Sequence, residues 1–190
     1  MPYLFINFTN MIIAITSTID GLGKTTSARI VLALLQNSNK DAKSIIAMTK
    51  KDKKDIYKGK WKIRSFAFTA VKMYQYITGI NFYTLSRDDK EQERSRFRYF
   101  CESMKDIFNP RVWVDRLFKN YTKDSYWVIP DLRFKVEYEK LIEEEAIIIG
   151  LRRSELEDFQ FPCSHIIENN STLEELVENL RAVLKNEKLI

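Results

Sequence analysis

Two short stretches of this chain carry residue types at spacings suited to phosphate chemistry. The first is TIDGLGKT at residues 18–25, which follows an apolar run and opens a helical pattern. Its spacing is that of a phosphate-binding loop, with Thr18 standing where the pattern has its first glycine. Gly21 and Gly23, with Asp20 and Leu22 between and before them, let backbone N–H groups wrap a polyphosphate, and Lys24 neutralises its outer charge. The Thr25 hydroxyl can ligate Mg²⁺, and Thr26 completes the segment. The competing explanation is a Gly-rich strand-to-helix turn with an incidental lysine. A strand before the loop and a helix after it favour the phosphate loop.

The second stretch is YWVIPDLRF at residues 126–134, a buried-strand pattern that delivers Asp131 and Arg133 at its carboxyl end. Ligands of open α/β sheets sit at that edge. Asp131 can position Mg²⁺ through water, and Arg133 can grip a phosphate with two parallel N–H bonds. A helix-capping Asp with a solvated Arg is the plainer alternative. Arg152 and Arg153 follow a later strand as two adjacent cations, a pair that is often only solvated. Asn169, beside Asn170, falls in the turn after the last strand, where a turn preference for Asn accounts for both. Arg94 and Arg98 are candidates for an acceptor phosphate, although Arg98 and Glu102 also have the spacing of an ordinary helix surface pair. Trp61, Tyr74, Tyr76 and Tyr83 could stack on a base, but aromatics at helical spacing more often build core, as Trp113 is expected to do.

The elements that must hold these groups alternate. Residues 11–17 read as a buried strand, 24–36 as a helix, and 44–49 as a possible strand before a basic loop, KKDKKDIYKGK. Residues 62–68 read as a strand and the following TAVKMYQYITG as a helix ending near Gly79. A long helix is predicted over 88–108, with Arg94, Arg98 and Lys105 on one flank of its apolar stripe. A strand at 126–129, a helix over 136–145 and strands at 146–151 and 165–168 follow. A last helix over 172–184 has Ser171 and Glu174 at capping-box spacing. Such alternation predicts a three-layer α/β domain with a parallel sheet, spanning residues 11–190 after a ten-residue extension.

Composition narrows the partners. With 31 Lys and Arg against 26 Asp and Glu, the net charge of +5 favours anionic ligands without implying DNA binding. Two distant cysteines, Cys101 and Cys163, lack metal spacing and fit a reducing compartment, and one histidine, His165, argues against a His-based zinc site. The apolar opening MPYLFINFTNMIIAI lacks a basic start and a cleavage site, so neither a signal peptide nor a membrane span is expected.

With these motifs in order, the chain resembles the deoxynucleoside monophosphate kinase family of tailed phages. DGLGKTT is similar to the loop of thymidylate kinases. Asp131, Arg133, Phe134 and Glu137 match the phage family's D-x-R-F-x-x-E signature. Ser65, Phe66 and Ala67 with Lys72 resemble its FA-x-x-LK segment, Pro110, Val112, Trp113 and Val114 its P-x-VWV segment, and HIIENNSTLEEL its final strand, turn and helix. The likeness is scattered over residues 11–184.

The resemblance implies a three-layer P-loop nucleotide-kinase fold with a small lid. ATP and Mg²⁺ would sit on Asp20–Thr26, Asp131 and Asn169, and the acceptor on Phe66, Lys72, Arg94, Arg98, Trp113, Asp131 and Arg133. Catalysis would fall to Lys24, Arg133, Arg152 and Arg153. It also implies a cytoplasmic protein, in the host if phage-encoded, with a nucleotide as its partner rather than nucleic acid or membrane, and leaves a homodimer open. A nucleoside kinase or nucleic-acid 5′-end kinase is the nearest alternative, but residues 68–71 offer no carboxylate to deprotonate a hydroxyl. From another class, an ATP-regulated nucleic-acid-binding module could use the basic, aromatic stretch 50–64.

Overall fold

A computed structural model of the chain describes residues 11–50, 59–82, 84–122 and 124–190. The expected extension at 1–10, most of the basic loop and Tyr83 lie outside them. The described residues divide into two compact units, one drawn from the chain up to Arg64 and from Thr122 to Ile190, the other spanning Ser65–Tyr121.

The first unit is α/β. Its five strands, all parallel, lie in the order β2-β3-β1-β4-β5, with β1 Met11–Ser17, β2 Lys62–Ile63, β3 Tyr126–Ile129, β4 Ile147–Arg152 and β5 His165–Glu168. The continuous apolar run MIIAITS forms the central strand because both of its faces are covered, as parallel sheets require. Ile13 pairs in register with Val128 on one side and Ile147 on the other. Ile13 and Ile15 join a core with helices α1 (Lys24–Gln36), α2 (Ala42–Lys50) and α7 (Leu173–Asn186). Ile12 and Ala14, equally buried, face the opposite way by strand alternation. Helix α6 (Lys135–Glu143) follows β3. This is the parallel, helix-flanked sheet expected from the alternation.

Some local readings fail for identifiable reasons. Residues 44–49 are not a strand but part of α2, because Asp41 caps the segment, its carboxylate accepting from the Ser44 amide at 2.9 Å and the Ser44 hydroxyl at 2.8 Å. The strand at 62–68 stops after Ile63: the Ser65 hydroxyl accepts from the Phe68 amide at 3.1 Å and starts a helix at Phe66. At the last helix Thr172, not Ser171, is the cap, accepting from the Glu175 amide.

The second unit is helical, with α3 Phe66–Thr78, α4 Arg87–Ile107 and α5 Val112–Phe118, the last unforeseen. Gly79 closes α3 in the left-handed conformation (φ 73°), as its position predicts. The unit's interior is aromatic: Tyr74 meets Phe97 at 5.4 Å and Phe100 at 5.3 Å, and Phe100 meets Trp113 at 6.0 Å. Among the described residues, no helix is long and apolar enough to cross a membrane.

Candidate functional site

At the carboxyl end of β1 the chain leaves the sheet through two left-handed glycines, Gly21 (φ 87°) and Gly23 (φ 85°), and enters α1 at Lys24. That backbone path is open to glycine and strained for other residues. The first turn of a helix leaves N–H groups without intrahelical partners, the kind of group that binds anions. The loop is held from several sides. Thr16 donates its hydroxyl to the Leu132 carbonyl at 3.1 Å, joining β1 to the segment that carries Arg133. Asn169 donates from its side-chain amide to the Leu22 carbonyl at 2.7 Å. Asn169 therefore buttresses the loop directly, a contact its turn position alone did not reveal.

Two cations from distant parts of the chain converge here. Lys24, whose side chain is 11% exposed, donates to the Ser17 hydroxyl at 2.7 Å and lies 3.3 Å from an Asp20 carboxylate oxygen. Arg133 approaches the same Asp20 oxygen at 3.1 Å. Asp20 is 74% exposed and Arg133 53%, so this bond is weak and easily exchanged for one to an arriving anion. The segment carrying Arg133 is rigid: Glu137, almost fully buried, accepts from the backbone amides of Arg133 at 2.8 Å and Phe134 at 3.0 Å. The glutamate of the D-x-R-F-x-x-E pattern thus shapes the turn that follows Asp131 and carries Arg133.

A cavity of about 520 Å³ opens at this point, lined by residues 16–20, Lys24, Leu132, Arg133 and residues 158–160. Every lining residue belongs to the first unit. Ser17, Asp158, Phe159 and Gln160 were not among the residues the sequence singled out. The β4–β5 loop that carries the last three is anchored at several points. Phe159 sits over Gly150, where an added Cβ would come within 2.7 Å of the Phe159 ring and of the Cys163 sulfur. Phe161 stacks on Tyr138 at 4.9 Å. Two aromatics in the polar run SELEDFQF were the available sign of a packed loop. Glu157 accepts from the Thr18 hydroxyl at 2.5 Å and the Arg153 amide at 3.1 Å. Those two bonds, the hydroxyl's first, hold its carboxyl below the ordinary range.

The remaining candidates are dispersed. Arg152 lies in β4, and its guanidinium pairs at 3.2 Å with Glu168, its register partner on β5. Arg153 is exposed, and its carbonyl accepts from the Asn170 side chain. Thr25 is exposed and Thr26 half-buried in the first turn of α1; Asp131 is half-buried just past β3. On the second unit, Phe66 is buried, Lys72 is exposed with its ammonium 4.6 Å from the Phe68 ring, and Arg94 is exposed and paired with Glu91 at 3.0 Å. Arg98 is exposed, while Glu102 pairs with Lys105 at 2.9 Å. Trp113 is buried, its indole N–H 3.4 Å from the Cys101 carbonyl. Of the four aromatics considered as base platforms, Tyr74 is core and Tyr76 is exposed; Trp61 packs edge-on against Tyr126 at 5.3 Å.

Compared with known proteins, the chain matches no family model, and no curated protein matches it.

The residues present suit Mg²⁺ chemically. Thr25 and Asp131 supply oxygen donors, and among the described residues no cluster of three His, Cys, Asp or Glu forms a closed cage. Mg²⁺ typically keeps several waters and takes one or two protein oxygens together with substrate phosphates, and the Thr25 hydroxyl and Asp131 carboxylate are oxygen donors of that kind.

Proposed function

We propose that the protein is an ATP-dependent kinase that phosphorylates a deoxynucleoside monophosphate to the diphosphate, on a P-loop nucleotide-kinase fold. The observation that carries this reading is the meeting of Lys24 and Arg133 at one carboxylate oxygen, at the carboxyl ends of parallel strands and beside a glycine-shaped helix start. Phosphoryl transfer is catalysed mainly by positioning and by charge placed where negative charge accumulates. Lys24 and the loop amides take the donor's outer phosphates, and Arg133 spans donor and acceptor. Thr25, through its hydroxyl, and Asp131, through water, would hold Mg²⁺, which would supply further neutralisation of the phosphate charge. The 153–160 segment acts as the lid, with Arg153 as its cation. The protein works in the cytoplasm, the host's if phage-encoded.

The test is ADP release in Mg²⁺ and ATP with each deoxy and ribo monophosphate, the matching nucleosides and an oligonucleotide. Turnover with at least one deoxynucleoside monophosphate is expected. Turnover confined to nucleosides or oligonucleotide ends overturns the reading. One observation favours that second possibility: Asp158 lines the cavity and supplies the carboxylate that residues 68–71 lack. Asp158→Asn separates the two, since a monophosphate acceptor is already ionised and needs no strong base.

A further inference from the structure

Thr18 occupies the one position at which the phosphate loop departs from its glycine pattern, and its side chain is engaged. Its hydroxyl donates to Glu157 Oε2, the same oxygen that accepts from the backbone amide of Arg153. A glycine could not make the first of these bonds. The two donors belong to different elements, 135 residues apart in number, and the carboxylate ties one to the other. Arg153 is also held at its carbonyl by Asn170, so its main chain is fixed on both sides while its guanidinium stays exposed. The next three residues after Glu157 line the cavity. Because the pair of bonds holds the Glu157 carboxyl below its ordinary range, the carboxylate remains ionised and an acceptor at any pH near neutrality.

We propose that Glu157 is a positioning residue for phosphoryl transfer. By bridging Thr18 and the Arg153 amide, it fixes Arg153 and the 158–160 wall against the phosphate loop, and Thr18 is the loop's half of that bridge. The role rests on the kinase reading above. It goes beyond that reading because neither Glu157 nor a function for Thr18 is required by a phosphate loop. The lid is thereby seated on the loop before a nucleotide arrives, which lowers the ordering cost at the moment of reaction.

The experiment compares Thr18→Val, Thr18→Gly, Thr18→Ser and Glu157→Ala with the unaltered protein. Thr18→Val keeps the shape and loses the hydroxyl, whereas Thr18→Gly restores the glycine of the motif. If the loop needed only a small residue there, Thr18→Gly would be as active as the parent or better. The bridge predicts the opposite: kcat falls about ten- to a hundredfold in Thr18→Val, Thr18→Gly and Glu157→Ala, with the KM for ATP changing much less. Thr18→Ser, which restores a hydroxyl, recovers most of the lost rate. Hydrogen exchange of the nucleotide-free proteins gives an independent readout, with residues 153–161 exchanging faster in Thr18→Val and Glu157→Ala and the sheet unchanged. Unchanged exchange in that segment, or Thr18→Val turning over within about twofold of the parent, overturns the proposal. An unaltered protein that releases no ADP with any acceptor overturns the kinase reading itself. Faster exchange in the variants would then show that the bridge exists without that role.

Discussion

The two units differ in what they add to ordinary helix ion pairs. The first has local pairs such as Lys140 with Glu144, but it also joins groups far apart in sequence: Arg133 reaches the Asp20 oxygen that Lys24 approaches, and Glu157 ties Thr18 to the Arg153 amide. In the second, local pairs recur along α4, Glu91 with Arg94, Glu93 with Arg96 and Glu102 with Lys105, each three residues apart. Pairs of the second kind contribute a few tenths of a kcal/mol and arise wherever a helix faces water. Convergence across more than a hundred residues costs chain entropy even where, as at Asp20 and Arg133, the groups stay exposed, and such an arrangement persists where a site gains from it. The second unit instead concentrates its packing energy in an aromatic interior around Tyr74.

The sharpest way to break this contrast is to remove its central cation. Lys24→Ala should fold normally, since its contacts are to Ser17 and exposed Asp20, and should lose phosphoryl transfer by about a hundredfold or more in single-turnover assays. Near-parental turnover would reduce the cluster to a surface ion pair. Arg133→Lys should have a smaller effect. It keeps the charge but loses the planar fork, so the KM for the acceptor should rise by about tenfold and more than that for ATP. An effect confined to ATP would move Arg133 to the donor side.

What could be read from sequence follows the same division. Strand β1 and helix α1 were legible to the residue because an apolar run, a glycine turn and a helical period all favour one structure. The anchored β4–β5 wall was not, since Phe159 packs on Gly150 and Glu157 meets Thr18 only once β4 lies beside β1. Residues 44–49 and 64–68 misled because short apolar runs suit strand or helix alike. Single caps, Asp41 and Ser65, decided between them. Glu137 was visible as part of a pattern, but its task of accepting the Arg133 and Phe134 amides needs coordinates.

A stability change without a loss of nucleotide binding would sharpen the contrast from the other side. Tyr74 donates its hydroxyl to the mostly buried Glu93, and burial first, then that bond, pushes the phenol up to about 12. Tyr74→Phe removes the donor and leaves a buried carboxylate short of a partner. The expected cost is about 1–3 kcal/mol in denaturant unfolding, with ATP binding by calorimetry unchanged. Parental stability would mean that Glu93 re-pairs fully elsewhere.

The smallest expected effect uses one cysteine from each unit as a reporter. Burial pushes both Cys101 on α4 and Cys163 on the β4–β5 loop up to about 11, from an ordinary 9.0. That rise leaves about a hundredfold less thiolate at pH 8 than in the unfolded chain, so iodoacetamide should label both slowly until the protein is denatured. For an acid whose folded pKa is raised, the unfolded state sheds its proton first. Stability from this source is therefore present below about pH 9 and declines as pH rises from about 9 towards 11. The two thiols should part company when ATP and Mg²⁺ are added. Cys163 lies against Gly150 beside Phe159, in the loop whose wall borders the cavity, so a ligand that binds the seated loop lowers the population of its opened form by mass action. Cys163 labelling should then slow by about the factor by which ATP exceeds its dissociation constant, while Cys101 labelling stays the same. Equal slowing of both would mean that nucleotide stabilises the whole chain, and no slowing of either would place the ligand away from the β4–β5 loop.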